Sequence, residues 1–199
     1  MSPPEFRALF PVLLLVVGGC ATQRSSELPA MPDWSTRSAV LHEITRWEFH
    51  GRIGVKNGDE GFNGNLWWWQ RDNDFRASIG GPLGAGTVRI SGYGSQFTIT
   101  DKDGAEVEIR DAEAELQAMY GWTIPVDSLR YWALGIPHPH EPADMEFGDE
   151  GLLATLLQQG WRVVFDQYRQ AGGQPMPRRL TAQNDQGKVV LVIDDWSFY

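Results

Sequence analysis

The chain has 199 residues, about one domain's worth, with 26 acidic and 17 basic side chains for a net charge of −9. That balance excludes the basic footprint needed to grip nucleic-acid backbones, and a single cysteine excludes both an internal disulfide and a multi-cysteine metal site. Hydrophobic residues at 42% exclude a disordered chain, while 22 glycines and 12 prolines point to many turns and hence to a β-rich domain rather than a helical bundle.

An apolar run, Ala8 to Val17, follows Arg7 near the N-terminus. Such a run rises only about 15 Å as a helix, half a bilayer core, so it reads as the h-region of a signal peptide and not as a membrane span. It leads into Val17-Gly18-Gly19-Cys20, which resembles the lipobox of bacterial lipoproteins. The resemblance implies cleavage before Cys20 and acylation of that cysteine. Removing residues 1–19 takes away one acid (Glu5) and one base (Arg7), so the charge of −9 belongs to the remainder. Ala21 to Pro32 is polar with two prolines and reads as a tether. Alanine rather than aspartate after the acylated cysteine implies, by the lipoprotein sorting rule, the outer membrane. The expected organisation is a signal peptide over 1–19, a lipidated tether over 20–32 and a single domain over 33–199.

Ser35 is a candidate cap for a short amphipathic helix reaching Ile44, with Val40, Leu41 and Ile44 on its apolar stripe. From Trp47 to Lys56, Trp47, Phe49, Ile53 and Val55 alternate with Glu48, His50, Arg52 and Lys56, which predicts a strand buried on one face. A turn at 57–61 sends Phe62 to Gln70 back as its hairpin partner. Phe75, Ala77 and Ile79 continue the alternation, and Thr87–Ser91, Gln96–Thr100 and Val107–Arg110 complete a meander. Asp111 caps a helix carrying Leu116, Met119 and Tyr120 and ending at Gly121; Asp127 caps a second carrying Leu129, Trp132 and Ala133 and ending at Gly135. Strands return with Trp161, Val163 and Phe165, and with Lys188–Ile193 after a turn at 184–187, while Leu152–Leu157 fits strand or helix equally by periodicity. The order is therefore one helix, five or six antiparallel strands, two short helices, then three or four strands. This predicts a mainly β, α+β domain in which helices cover the open side of a curved antiparallel sheet.

Arg46-Trp47 through Gly51-Arg52, Trp69-Gln70, Gly81-Pro82-Leu83-Gly84, Gly121-Trp122 with Ile124-Pro125-Val126, Leu129 with Trp132, and Gly135-Ile136-Pro137 occur in order along nearly the whole chain. Together they resemble the LolB family of outer-membrane lipoprotein receptors. The resemblance implies an incomplete antiparallel β-barrel with short helices covering an apolar cavity, as in LolA and LolB. It also implies a lipid-anchored protein of the outer membrane, facing the periplasm, that takes lipoproteins from the carrier LolA and inserts them into the inner leaflet. The implied partners are LolA, lipoprotein acyl chains and outer-membrane phospholipid, with no nucleic acid, and the implied state is a monomer without cofactor, metal or enzymatic activity.

A cavity for acyl chains needs a large apolar lining. The candidates on the first half of the sheet are Trp47, Phe49, Ile53, Leu66, Trp68 and Phe75, together with Ile79, Val88, Ile90, Phe97 and Ile99. Trp161, Val163 and Phe165 add to them from the second half. Spacing alone does not separate such a cavity from a packed core, and a passive structural or assembly lipoprotein with a packed barrel is the alternative reading. Trp67-Trp68-Trp69 cannot all face one side of a strand, so Trp67 and Trp69 lie either under helices or on an aromatic outer surface.

In the segment Gly80 to Gly86, Pro82 and the glycines Gly81 and Gly84 read as a loop with Leu83 at its tip. The family resemblance implies that Leu83 delivers cargo into the membrane. The glycines are no phosphate cradle, because no Lys-Ser/Thr follows them. Catalysis has little support: Asp194 and Asp195 point apart on a strand, His138-Pro139-His140 reads as a loop, and no Gly-x-Ser-x-Gly elbow is present.

Overall fold

The computed structural model describes residues 25–81, 86–93, 96–148 and 150–199. Cys20 and the loop residues Pro82, Leu83 and Gly84 lie outside them. The alternating apolar pattern of the first half becomes six strands: β1 (Arg46–Asn57), β2 (Glu60–Arg71), β3 (Asp74–Gly80), β4 (Val88–Tyr93), β5 (Gln96–Thr100) and β6 (Glu106–Ile109). Each pairs antiparallel with its predecessor. Five strands, not three or four, follow the helical middle of the chain: β7 (Ala143–Phe147), β8 (Leu153–Gln158), β9 (Trp161–Ala171), β10 (Gln174–Gln183) and β11 (Lys188–Phe198). The segment left ambiguous by periodicity is therefore a strand, β8.

The last strand closes back on the first, with Trp47 opposite Phe198 and Val55 opposite Val189. The result is one sheet of eleven described strands, with β6 at one edge and β7 at the other. Among the described residues β6 and β7 do not pair, so the sheet is open, with short helices in its concave side. A register shift marks a bulge in β11, where Asp194 is the extra residue opposite the step from His50 to Gly51 of β1. Only glycine fits at position 51, because an added Cβ would stand 2.2 Å from the Val192 carbonyl oxygen.

Three helices fill the space the sheet leaves. In α1 (Trp34–Glu43) the cap is Asp33, not Ser35: Asp33 is extended and its carboxylate accepts from the Thr36 amide at 2.8 Å, which places Ser35 inside the first turn. In α2 (Ala112–Tyr120) Asp111 caps as expected, accepting from the Ala114 amide at 3.0 Å, and Gly121 ends the helix in the left-handed region. Leu116 of its apolar stripe is buried, but Met119 is exposed. In α3 (Val126–Leu134) the cap position is Pro125 and Asp127 sits in the first turn, so Asp127 is not the cap. Gly135 closes α3, as its position predicts.

Candidate functional site

β1 to β5 and β9 turn one face inward, and the pleat assigns every second residue to it. All fourteen proposed lining residues lie there, none more than 7% exposed. Their aromatic rings form a row across the strands: Trp47 and Phe49 are 6.0 Å apart and nearly parallel, Phe49 and Trp68 are 6.3 Å apart, and Trp68 and Phe75 are 5.2 Å apart. Phe97 meets Phe75 at 6.0 Å, tilted. Offset rings at such separations are the favoured aromatic geometry. Opposite this row, the helices and the segments joining them contribute Leu41, Leu116, Ile124, Leu129, Trp132 and Ile136, all buried. The concave face is thus a continuous apolar layer covered by the helices.

Few polar contacts hold that cover to the sheet. The most complete is Gln158 of β8, itself 3% exposed. Its Oε1 accepts from Trp132 Nε1 at 3.0 Å and from the His138 amide at 2.9 Å, while its Nε2 donates to the carbonyls of His138 and Glu141, both at 3.0 Å. All four of its hydrogen-bonding positions are therefore used. The second tie is Arg37 of α1, buried to 2% exposure, whose Nη2 donates to the Pro175 carbonyl at 2.6 Å. The third is Asn57 at the end of β1, whose Nδ2 donates to the Gly121 carbonyl at 3.0 Å. Neither Gln158 nor Arg37 has a sequence signal: one ends an apolar strand and the other sits in an otherwise amphipathic helix. The only clue is a polar side chain at a position the period assigns to the interior.

Burial perturbs the groups nearest this cover. It is the main cause lowering the pKa of His138, reinforced by the Arg130 charge, and the ring stacks edge-on against Tyr131 at 4.8 Å. It also pushes the Tyr168 phenol well above its ordinary value, and that hydroxyl donates to the Leu153 carbonyl at 2.7 Å.

The outer face is different. Trp68 points inward and Trp67 and Trp69 outward; no described helix covers the latter two, which are half-buried, with the Arg76 guanidinium 5.1 Å and that of Arg71 5.8 Å from the Trp69 ring centre. Other outer grooves include one of about 810 Å3 over β8 to β10, lined by Leu157, Arg162, Val164 and Thr181 among others.

Residues considered for catalysis do not assemble. Asp194 pairs with Arg52 at 3.1 Å, while Asp195 lies 4.0 Å from Arg169. The rings of His138 and His140 are 5.9 Å apart, and among the described residues no group of three or more His, Cys, Asp or Glu could hold a metal. No described helix is long and apolar enough to cross a membrane. Gly81, the one described residue of the Gly81-to-Gly84 motif, lies just past the end of β3.

The fold resembles that of a DUF1329 family protein from Desulfovibrio piger, with a TM-score of 0.53 at 7% sequence identity, covering 82% of this chain and 90% of that one. In sequence the chain is 31% identical to the outer-membrane lipoprotein LolB of Stutzerimonas stutzeri, over 94% of this chain and 93% of that protein. It is 30% identical to LolB of Pseudomonas aeruginosa, over 92% of this chain and 91% of that protein. The family model described as outer membrane lipoprotein LolB matches residues 45–196, a span that runs from the start of β1 almost to the end of β11. The chain therefore belongs to the LolB family of outer-membrane lipoproteins.

Proposed function

We propose that this protein, anchored by a lipid on Cys20 and facing the periplasm, accepts lipoproteins from LolA into its concave apolar face and inserts them into the inner leaflet of the outer membrane. A lipoprotein anchor of roughly 40 methylenes, at about 0.8 kcal/mol each, would cost some tens of kcal/mol to expose to water. The acceptor must therefore offer an interior nearly as apolar as the membrane. The observation that carries this reading is the fourteen-residue lining beneath a helical cover, in a sheet whose edges β6 and β7 are unpaired among the described residues. The cover can move off the lining without breaking any strand ladder, and an acyl chain entering there replaces one apolar contact with another. Transfer by exchange of apolar surface needs no nucleotide, metal or catalytic group.

Leu83, in the segment between β3 and β4, is the residue we assign to delivery, together with its neighbours Gly81, Pro82 and Gly84. A single leucine partitions into lipid with about 1.5–3 kcal/mol, enough for transient engagement while the Cys20 lipid anchors. One observation favours the packed structural lipoprotein instead: the lining is at most 7% exposed, so the site is shut. Transfer of a labelled lipoprotein from LolA to liposomes decides between them. Wild type takes up and deposits the cargo, and Leu83→Glu takes it up but retains it. If neither protein takes cargo from LolA, the barrel is a packed structural element.

A further inference from the structure

We propose that the outer face of β2 to β4 is a docking surface for anionic phospholipid headgroups, on which the domain lies side-on to the membrane; this deepens the proposed function and rests on Cys20 carrying the lipid. The first support is the length of the leash. Ser26 donates its amide to the Phe198 carbonyl and Leu28 donates to the Gly172 carbonyl, each at 2.7 Å, while Ser25 Oγ accepts from the Phe198 amide at 3.0 Å. The polar stretch before α1 is thus pinned to the domain from Ser25 onward. Only residues 21–24 separate that point from Cys20. The span is five Cα steps, at most about 18 Å.

The pinned point lies at the end of the sheet where β11 finishes and β1 begins, since Tyr199 donates its amide to the Arg46 carbonyl. By register, Arg46 aligns with Arg71, Asp74, Tyr93 and Gln96. β1 is 12 residues long, about 40 Å, so a domain standing on the far end of its strands would leave Cys20 short of the bilayer. Lying on the outer face keeps Ser25 within reach and brings Gly80 and Val88, about 20 Å further along the strands, to the same plane.

The second support is the chemistry of that face. Outward positions of β2 to β4 hold three arginines, Arg71, Arg76 and Arg89, against one acid, Asp74, on a chain whose net charge is −9. Between them stand Trp67 and Trp69, with Tyr93 at the rim 70% exposed. Arg76 lies 3.9 Å from Asp74, but Arg71 and Arg89 have no ion pair among the described residues. Elsewhere on the outer surface Arg52 pairs with Asp194, Arg179 with Asp166 and Arg169 with Asp195, whereas Arg162 of β9 has no ion pair among the described residues. Tryptophan and tyrosine favour the headgroup layer, and unpaired arginines are drawn to a negative leaflet.

The test uses the full lipidated chain in phosphatidylethanolamine vesicles with or without phosphatidylglycerol. The lipid occupies Cys20, so a new cysteine is the one free thiol for an environment-sensitive fluorophore. Ser91→Cys on β4 and Gln183→Cys on β10 each carry the probe, with a spin-label quencher at headgroup depth. The expected result is at least threefold stronger quenching at position 91 than at 183 when phosphatidylglycerol is present. Replacing Arg71, Arg76 and Arg89 by glutamate, or by glutamine if the reversed form does not fold, removes that difference. Equal quenching at the two positions in the wild-type background, or a difference that survives loss of the arginines, overturns the proposal. The readout needs no cargo, so failure to accept lipoproteins from LolA would overturn the proposed function without touching this result.

Discussion

Arg37 shows how one residue can set the behaviour of the helical cover. Among the described residues it is buried with no carboxylate against it: besides the Pro175 carbonyl its guanidinium meets the sulfurs of Met176 and Met31, at 3.8 and 3.9 Å, and the Tyr168 ring at 6.0 Å. Its Nε has no hydrogen-bond partner among the described residues. Burial lowers its pKa, the largest effect on the group, yet a guanidinium stays charged at any ordinary pH, so α1 is seated through a cation that water would solvate better. The contact depends on the flat, delocalised shape of the group. A lysine ammonium is shorter and a point charge, and cannot serve both sulfurs and the carbonyl. Arg37→Lys should therefore cost about 1–3 kcal/mol in urea unfolding, by leaving the Pro175 carbonyl without its donor. An unchanged midpoint would show that the arginine contributes nothing to seating α1.

At the scale of elements, α3 depends on Gln158. Replacing Gln158 by leucine leaves Trp132 Nε1, the His138 amide and two carbonyls without partners, so the loss should be about 2–4 kcal/mol, with faster amide exchange through α3 than through β1 or β11. Uniform exchange across α3 and the central strands would contradict a cover that opens separately. The helices and strands were not equally legible in the sequence. β1 and β2 announce themselves by alternation, and α2 by Asp111 and Gly121. β10 was invisible because Pro175 and Pro177 argue against a strand, and the sheet accommodates them by shifting register between Pro177 and Leu180. β7 was not anticipated, although Ala143, Met145 and Phe147 alternate with Asp144 and Glu146: it is a five-residue edge strand whose apolar face stays largely exposed, and so short an alternation is a weak signal. Pro125 displaced Asp127 as cap because proline favours the helix start and Asp127 then falls inside the first turn.

For the whole molecule, the sequence determined which residues face inward, because a period of two assigns them regardless of how the sheet closes. It left unreadable what depends on contacts far apart along the chain: the pairing of β1 with β11, the docking of Ser26 and Leu28 beside Phe198 and Gly172, and the seating of the helices by Arg37 and Gln158. Whether the inward face is a container or a core is likewise a property of the whole assembly. Trp47 and Trp68 stand in the middle of the aromatic row, 6.3 Å apart, where an entering chain must pass them. The most direct measurement is tryptophan quenching by a brominated fatty acid added to the purified protein. The account predicts saturable quenching near one acyl chain per protein, reduced when Trp47 or Trp68 is replaced by phenylalanine. Quenching that rises linearly without saturation, and is indifferent to both replacements, would mean that the concave face stays packed and never holds an acyl chain.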